Sequence, residues 1–417
     1  MRASEEVYDV IVIGGGASGM MAAGRAGALG KRVLLLEKNA KLGEKLLISG
    51  GGRCNITNAE QDPKQLLPKY GSAEQFLYSS FARFGVTDTF TFFENLGLPL
   101  VVQAGKRAFP KSERARDVVE ILRAYMKDGT VVVRTNAPVS AVVARGGQID
   151  HVAVGATKYR AHSYIFATGG VSHPETGSTG DGFAWLTKLG HTVSPPTPTI
   201  VPLKTKESWS HALSGVTVPG VKLHFYQDGK RAFVRSGSVL FTHFGISGPT
   251  VLNAAGRVSD LLHAGTVTVS IELMPEHDLG SLDRMLGGLF DANKNKALKN
   301  VLRDFYPKGM SEVLLARLPE LDPEMQVNSV TREGRRKLVT LAKDLRLTIT
   351  GLMGFDRAVI ADGGIPLTEI DMRTMRSLKI PNLFVTGDLL HITRPSGGYS
   401  LQLCWTTGFI AGSNAGP

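Results

Sequence analysis

Arg53 and Cys54 stand side by side in the run SGGGRCN, Ser49 to Asn55, where three glycines leave the chain free to bend. A thiol beside a guanidinium could bind a metal, attack a substrate, or merely sit in a loop that brings backbone against a ligand. Disulfide reduction needs two closely spaced cysteines, one to attack and one to resolve. The only other cysteine is Cys404, in apolar and helix-like sequence. Cys54 therefore reads as a lone thiol, and a dithiol mechanism is excluded. Arg53 could stabilise negative charge or bind a substrate carboxylate. His243, in THFGISGP, and His391, in GDLLHITRP, are candidate proton donors. Pro249 breaks the GxSxG spacing of a nucleophile elbow. No HExxH or cysteine–histidine cluster suggests a metal.

What could position such residues is written in the first forty. Residues 7–13 make an apolar strand that breaks at Gly14, and glycines fall at 14, 16 and 19. Helical sequence runs from Ala17 to about Leu29, and a second strand, Arg32 to Leu36, ends at Glu37. This is the βαβ dinucleotide fingerprint with its parts in order. Gly14 permits the tight turn, Gly16 lets backbone approach a pyrophosphate, and Gly19 lets helix and strand pack closely. Phosphates then meet free N–H groups at a helix start. Glu37 can accept hydrogen bonds from ribose hydroxyls, which speaks against a phosphate on that ribose and leaves NAD and FAD both open. Lys41, Lys45 and Arg53 surround the opening loop. A later strand empties into FATGG, with Thr168 and Gly169, and then GSTGDG; this second glycine turn reads as a further cofactor contact.

The rest of the chain divides by composition. Residues 61–130 look mainly helical, with helices over 74–96 and 111–127, before strands near 131–134 and 138–144. SPPTPTIVPLK, at 194–204, reads as a stiff crossing between domains. Short β-like runs follow to about 274 and suggest a small antiparallel sheet or barrel; 279–320 reads as helices. After 350 the strand-plus-glycine pattern returns in NLFVTGD and GGYSLQLCWTTGFIAG. The expected domains are 1–195, a first part of a nucleotide-binding domain; 196–275, barrel-like; 276–350, mainly helical; and 351–417, its second part. Three separated segments meeting around one ligand suit a long molecule such as FAD.

Composition excludes some classes. With a formal charge of +11 and a pI near 9.6 the chain is basic, yet the basic residues are scattered and the densest group, REGRRK, contains an acid. No nucleic-acid-binding motif accompanies it, so nucleic acid is not the expected partner. Two cysteines fit a reducing cytosol. The N-terminus carries acids where a signal peptide carries bases, and no apolar run reaches the ~18 residues of a spanning helix. A cytoplasmic protein with no membrane partner is expected.

The motifs together resemble the bacterial flavoproteins named after the Haemophilus HI0933 protein, also described as NAD(P)/FAD-dependent or aminoacetone-oxidase-like FAD-binding enzymes. The resemblance rests on GGGASG, KLLISGGGRCN, ATGG with GSTGDG, LFTHFGISGP, and TGDLL…PSGGYSLQ…TTG…AG. It implies an α/β fold in which a glutathione-reductase-type, Rossmann-like FAD domain is interrupted by a β-barrel-like domain and a small helical domain. It implies that AMP lies toward Gly14, Gly16, Ala17, Ser18, Gly19 and Glu37. Lys38, Lys45 and the loop Ser49, Gly50, Gly51, Arg53, Cys54 and Asn55 would lie along the ribityl or flavin half. Val139 would offer backbone groups to adenine. Gly387, Asp388 and the turn Gly397, Gly398, Tyr399, Ser400 and Leu401 would hold the pyrophosphate, ribityl chain and ring edge. Here the last signature reads GDLLHITRPSGGYSLQ where relatives read closer to GEVLDVDG.TGGYNLQ, so Asp388, His391, Arg394 and Ser400 depart together. The implied activity is FAD-dependent oxidoreduction of a small organic substrate reached under the inserted domains, with NAD(P)H as a transient donor. Reduction of a C=C bond, a role on nucleic acid and non-catalytic FAD binding remain as alternatives.

Overall fold

In this computed structural model, which describes residues 7–417, the chain divides into two compact units. The first joins the N-terminal segment through Thr197 to Val359–Pro417; the second is Pro198–Ala358.

The first unit is built on a sheet with a parallel core. Val7–Ile13 is flanked by Val33–Leu36 and Thr157–Phe166, both parallel to it. Val132–Arg134 adds beside Val33–Leu36, and Leu383–Val385 beside the end of Thr157–Phe166, again parallel. Val10 to Val12 and Leu34 to Leu35 are fully buried, as strands covered on both faces must be. Gln148–Val154 and Ala141–Arg145 continue the sheet as an antiparallel meander. The helices Ala17–Ala28 and Tyr399–Asn414 lie against each other through small residues. A Cβ on Gly408 would stand 2.4 Å from the Ser18 carbonyl oxygen, and one on Gly412 would stand 2.3 Å from that of Ala22. That close approach ties the last segment of the chain to the first.

Three local expectations are corrected. The single helix over 74–96 is two, Glu74–Arg83 and Val86–Asn95. The Asp88 carboxylate accepts from Gly85 N at 2.8 Å and starts the second helix afresh. The largely helical 61–130 contains the strands Leu100–Gln103 and Arg107–Pro110, which pair with each other and carry Thr57–Asn58 at the edge. The proline-rich crossing is partly a strand, Ser194–Pro198, paired with Ala361–Gly364. Proline is tolerated there because a two-stranded ribbon has only edges.

In the second unit, Leu203–Thr205, Gly245–Ser247, Lys230–Thr242, Thr217–Gln227, Val267–Glu272 and Leu345–Leu352 close in that order into a barrel. Leu223, Phe225, Phe241, Val269 and Leu347 fill its interior. The helices Leu279–Ala292, Leu298–Phe305 and Arg332–Lys343 bury Leu286, Leu302 and Leu338 in the same apolar cluster. Residues expected as separate barrel-like and helical parts therefore share one core, and the last barrel strand comes after the helices. Among the described residues no helix is long and apolar enough to cross a membrane.

Candidate cofactor site

The site begins where Val7–Ile13 ends. Gly14 turns with φ +103, its N–H donating to the Leu36 carbonyl at 2.8 Å, and a Cβ there would meet the Ala167 oxygen at 2.5 Å. Gly16 caps the helix Ala17–Ala28 with no side-chain hydrogen bond, so the first amides of that helix stay open. A Cβ on Gly16 would meet no protein atom within 4 Å. Glu37, only 8% exposed, accepts from Gly15 N and Asn39 N, each at 2.7 Å. The carboxylate thus fixes both glycine turn and strand end, at the offset the fingerprint requires.

The second glycine turn closes the side beyond Glu37. Lys38 Nζ donates to Asp181 Oδ2 at 2.7 Å, and Asn39 Nδ2 donates to the Thr176 carbonyl at 2.9 Å. These bonds hold the GSTGDG loop over the end of the second strand. His173, at φ +52, pairs its Nδ1 with Glu175 Oε1 at 2.8 Å.

The third wall comes from the C-terminus. Tyr399–Asn414 is capped by Gly398, again without a side-chain bond. With its amide turned so that nitrogen faces the Thr57 and Ala108 carbonyls, Asn55 accepts from Gly398 N at 3.0 Å. Trp405 Nε1 donates to the Ile56 carbonyl at 2.9 Å, and Thr57 Oγ1 to Gln402 Oε1 at 2.6 Å. SGGGRCN is accordingly fastened to the helix start that follows it by more than three hundred residues. A swinging hinge is not compatible with those bonds.

These walls enclose one cavity of about 580 Å³ within the first unit. Of the residues singled out from sequence, Gly14, Gly16, Ala17, Ser18, Glu37 and Lys38 line it. So do Lys45, Ser49, Gly50, Gly51, Asn55, Val139, Thr168 and Gly169, and from the C-terminal segment Asp388, Gly397, Gly398, Ser400 and Leu401. Others lie elsewhere. Gly19 packs against the Gly14 carbonyl, and Gly387 against Ser18 and Cys404. Tyr399 is turned into the core, its ring edge-on to Tyr70 at 5.9 Å. Arg53 points away from the wall: its guanidinium covers the Phe109 ring at 4.4 Å and pairs with Glu113 at 3.3 Å. Cys54 takes a left-handed φ of +61 that turns its side chain into the core, where burial pushes the thiol up to about 12. His391 is exposed. His243 is exposed on a turn of the second unit, against Phe244.

Sequence reading missed His173, Asn39 and Cys404, which line the cavity, and the role of Arg394 behind it. Nothing in HPET marks a histidine for a cavity wall; only the fold of the loop does. Lys45 is a half-buried cation on the cavity wall. Burial lowers its pKa, and the Asp388 carboxylate opposes that shift. Two helix starts without side-chain caps opening on one cavity, with a carboxylate at the ribose position, suit an extended dinucleotide. The residues present fit FAD.

The profile of the family described as HI0933-like protein Rossmann domain matches residues 8–414. The chain is 29% identical over 409 residues to the 3-dehydro-bile acid delta(4,6)-reductase of Clostridium scindens, covering 97% of this chain and 98% of that one. It is 31% identical over 411 residues to the ribosomal RNA dihydrouridine synthase of Escherichia coli, covering 96% of each. Among solved structures, the 3-ketosteroid-delta4-(5alpha)-dehydrogenase of Rhodococcus jostii RHA1 shares the fold at a TM-score of 0.56 and 14% identity, with 99% and 98% covered. A match spanning nearly every residue leaves one conclusion: the chain belongs to the HI0933-like protein Rossmann domain family.

Proposed function

We propose that this chain, a flavin-dependent oxidoreductase by its family, binds FAD and reduces a carbon–carbon double bond conjugated to a carbonyl, with NAD(P)H as electron donor. The observation that carries the reading is a convergence. Two relatives similar over at least 96% of this chain bear names for different substrates and one chemistry. One name describes saturating double bonds of a 3-oxo bile acid; the other describes saturating the ring of uridine. Each is the net addition of a hydride and a proton across an activated C=C.

Bound FAD would supply the hydride. The chain's own residues do the rest. The open amides of Ala17 and Ser18 and the helix start beyond Gly398 bind anionic oxygens. Glu37 accepts from ribose hydroxyls. Lys45, its pKa lowered by burial, releases a proton more readily than a surface lysine. His173, oriented by Glu175, is the imidazole on the cavity wall that can hold a proton for the carbon not receiving hydride. A small substrate is the preferred reading. RNA is the second, favoured by the +11 charge and the Escherichia coli relative's name.

The test is anaerobic reoxidation. The purified protein is reduced with NADPH, then mixed with a 4-en-3-one steroid, with uridine, or with an isolated alkene. Fast reoxidation by a conjugated acceptor, with the saturated product recovered, is expected. No reoxidation by any of these acceptors, with turnover only once oxygen is admitted, overturns the reading.

A further inference from the structure

Asp388 and Ser400 line the cavity twelve positions apart, and one side chain behind the wall holds both. Arg394 is 4% exposed. Its Nη2 donates to Asp388 Oδ1, its Nε to Ser400 Oγ at 3.0 Å, and its Nη1 to the Ile392 carbonyl at 2.7 Å. Each nitrogen of the guanidinium thus has an oxygen to serve, which a point-like ammonium could not match. Three of the four positions that depart together in the last signature, Asp388, Arg394 and Ser400, are one bonded unit, and His391 stands outside it.

Charge gives the unit its consequence. Asp388 puts a carboxylate on the wall of a cavity suited to a polyanionic dinucleotide. The charged groups around it are Arg394 in direct contact and Lys45 further off, with the acid Glu175 also acting on Lys45. Without Arg394 the carboxylate would face bound phosphates partly buried and with only the more distant Lys45 to offset it, a state far worse than the neutral pair. Ser400, at the first turn of Tyr399–Asn414, would lose the donor that fixes its hydroxyl.

We propose that Arg394 is a positioning residue of the cofactor cavity, neutralising Asp388 and fixing Ser400 so that the wall accepts FAD. The proposal rests on the FAD reading, and its test separates the two. FAD is titrated into apoprotein and followed by quenching of flavin fluorescence, for wild type, Arg394→Met, Arg394→Lys, and the double variant Arg394→Met with Asp388→Asn. Arg394→Met is expected to raise the Kd at least about tenfold, as loss of a charged hydrogen bond does. The double variant, with no charge left unpaired, should recover to within about threefold of wild type. Arg394→Lys keeps the charge without the fork and should fall between. A purely structural role would not be rescued by removing a second group. Wild-type affinity in Arg394→Met, or a double variant no better than the single, overturns the proposal. If Arg394→Met does not fold, Arg394→Lys and the double variant decide: Arg394→Lys equal to wild type, or a double variant weaker than Arg394→Lys, overturns it. Failure of wild type to bind FAD overturns the cofactor reading instead.

Discussion

Gly14 and Gly16 stand two positions apart and answer to different neighbours. A methyl on Gly14 would drive into the Ala167 carbonyl in a left-handed conformation, so Gly14→Ala must strain the protein itself. A methyl on Gly16 would meet only the cavity. Gly14→Ala should therefore destabilise apoprotein by about 2 kcal/mol or more, whereas Gly16→Ala should change it by less than about 1 kcal/mol yet weaken FAD binding. Thermal melts of both apoproteins beside FAD titrations check the contrast. Cys54 gives a second prediction. Burial pushes both Cys54 and Cys404 up to about 12, so almost no thiolate exists near neutrality. Iodoacetamide at about pH 8 should not label Cys54 until the protein is denatured; rapid labelling of Cys54 in the native protein would contradict its burial. The cavity-lining glycines and Glu37 were legible because their spacing is itself the geometry. Cys54 and Arg53 were not, because one left-handed φ decides which way each neighbouring side chain leaves the loop.

Elements were legible where one period ran long. The first strand, helix and strand lie within a residue of the spacing's forecast, and an apolar helix, Tyr399–Asn414, follows the last glycine loop as expected. The short antiparallel strands near 100–110 carry no such run, and their pairing is set by residues far off in sequence. The same holds for the contact that secures the end of Asp181–Lys188. His191 lies just beyond that helix, with Nδ1 at 2.7 Å from Glu369 Oε2 and Nε2 at 2.9 Å from Ser377 Oγ, and Lys379 Nζ donates to Glu369 Oε1 at 2.7 Å. Burial acts to raise the Glu369 pKa, but bonds from Lys379, Thr192 and His191 outweigh it and bring the group to about 2. A carboxylate with a depressed folded pKa adds stability above its unfolded value of about 4.3, and that stability is lost as pH falls toward about 2. Burial lowers the His191 pKa, so protonation below about 6.5 also favours unfolding. Glu369→Gln should cost on the order of 2 kcal/mol at pH 7 and roughly half of that at pH 3. Urea unfolding at the two pH values measures this; an equal loss at both would show that the charge is not what matters.

At the scale of the molecule, a charge of +11 asks whether this chain works on a polyanion. Net charge alone cannot answer, because phosphate contacts need cations free to make them. The densest basic run, REGRRK, is only partly free. It lies in the helix Arg332–Lys343, where Arg335 grips Asp283 at 2.8 Å and Lys337 meets Glu320 at 2.8 Å and Glu333 at 3.3 Å. Two of its four cations are spent on neighbouring acids. That is how a solvated face with internal pairing looks, and it weighs toward a small substrate. Salt then separates the readings. An RNA substrate held by several phosphates should lose at least about tenfold in kcat/KM between about 50 and 200 mM salt, because released counterions drive its binding. A conjugated ketone has no such dependence, and its kcat/KM should move by less than about twofold across that range. Measuring both acceptors on one preparation controls for any effect of salt on the protein. A steep slope for RNA together with turnover of uridine within it would reverse the order of the two readings, and would mean that scattered cations, rather than the paired cluster, make the contact.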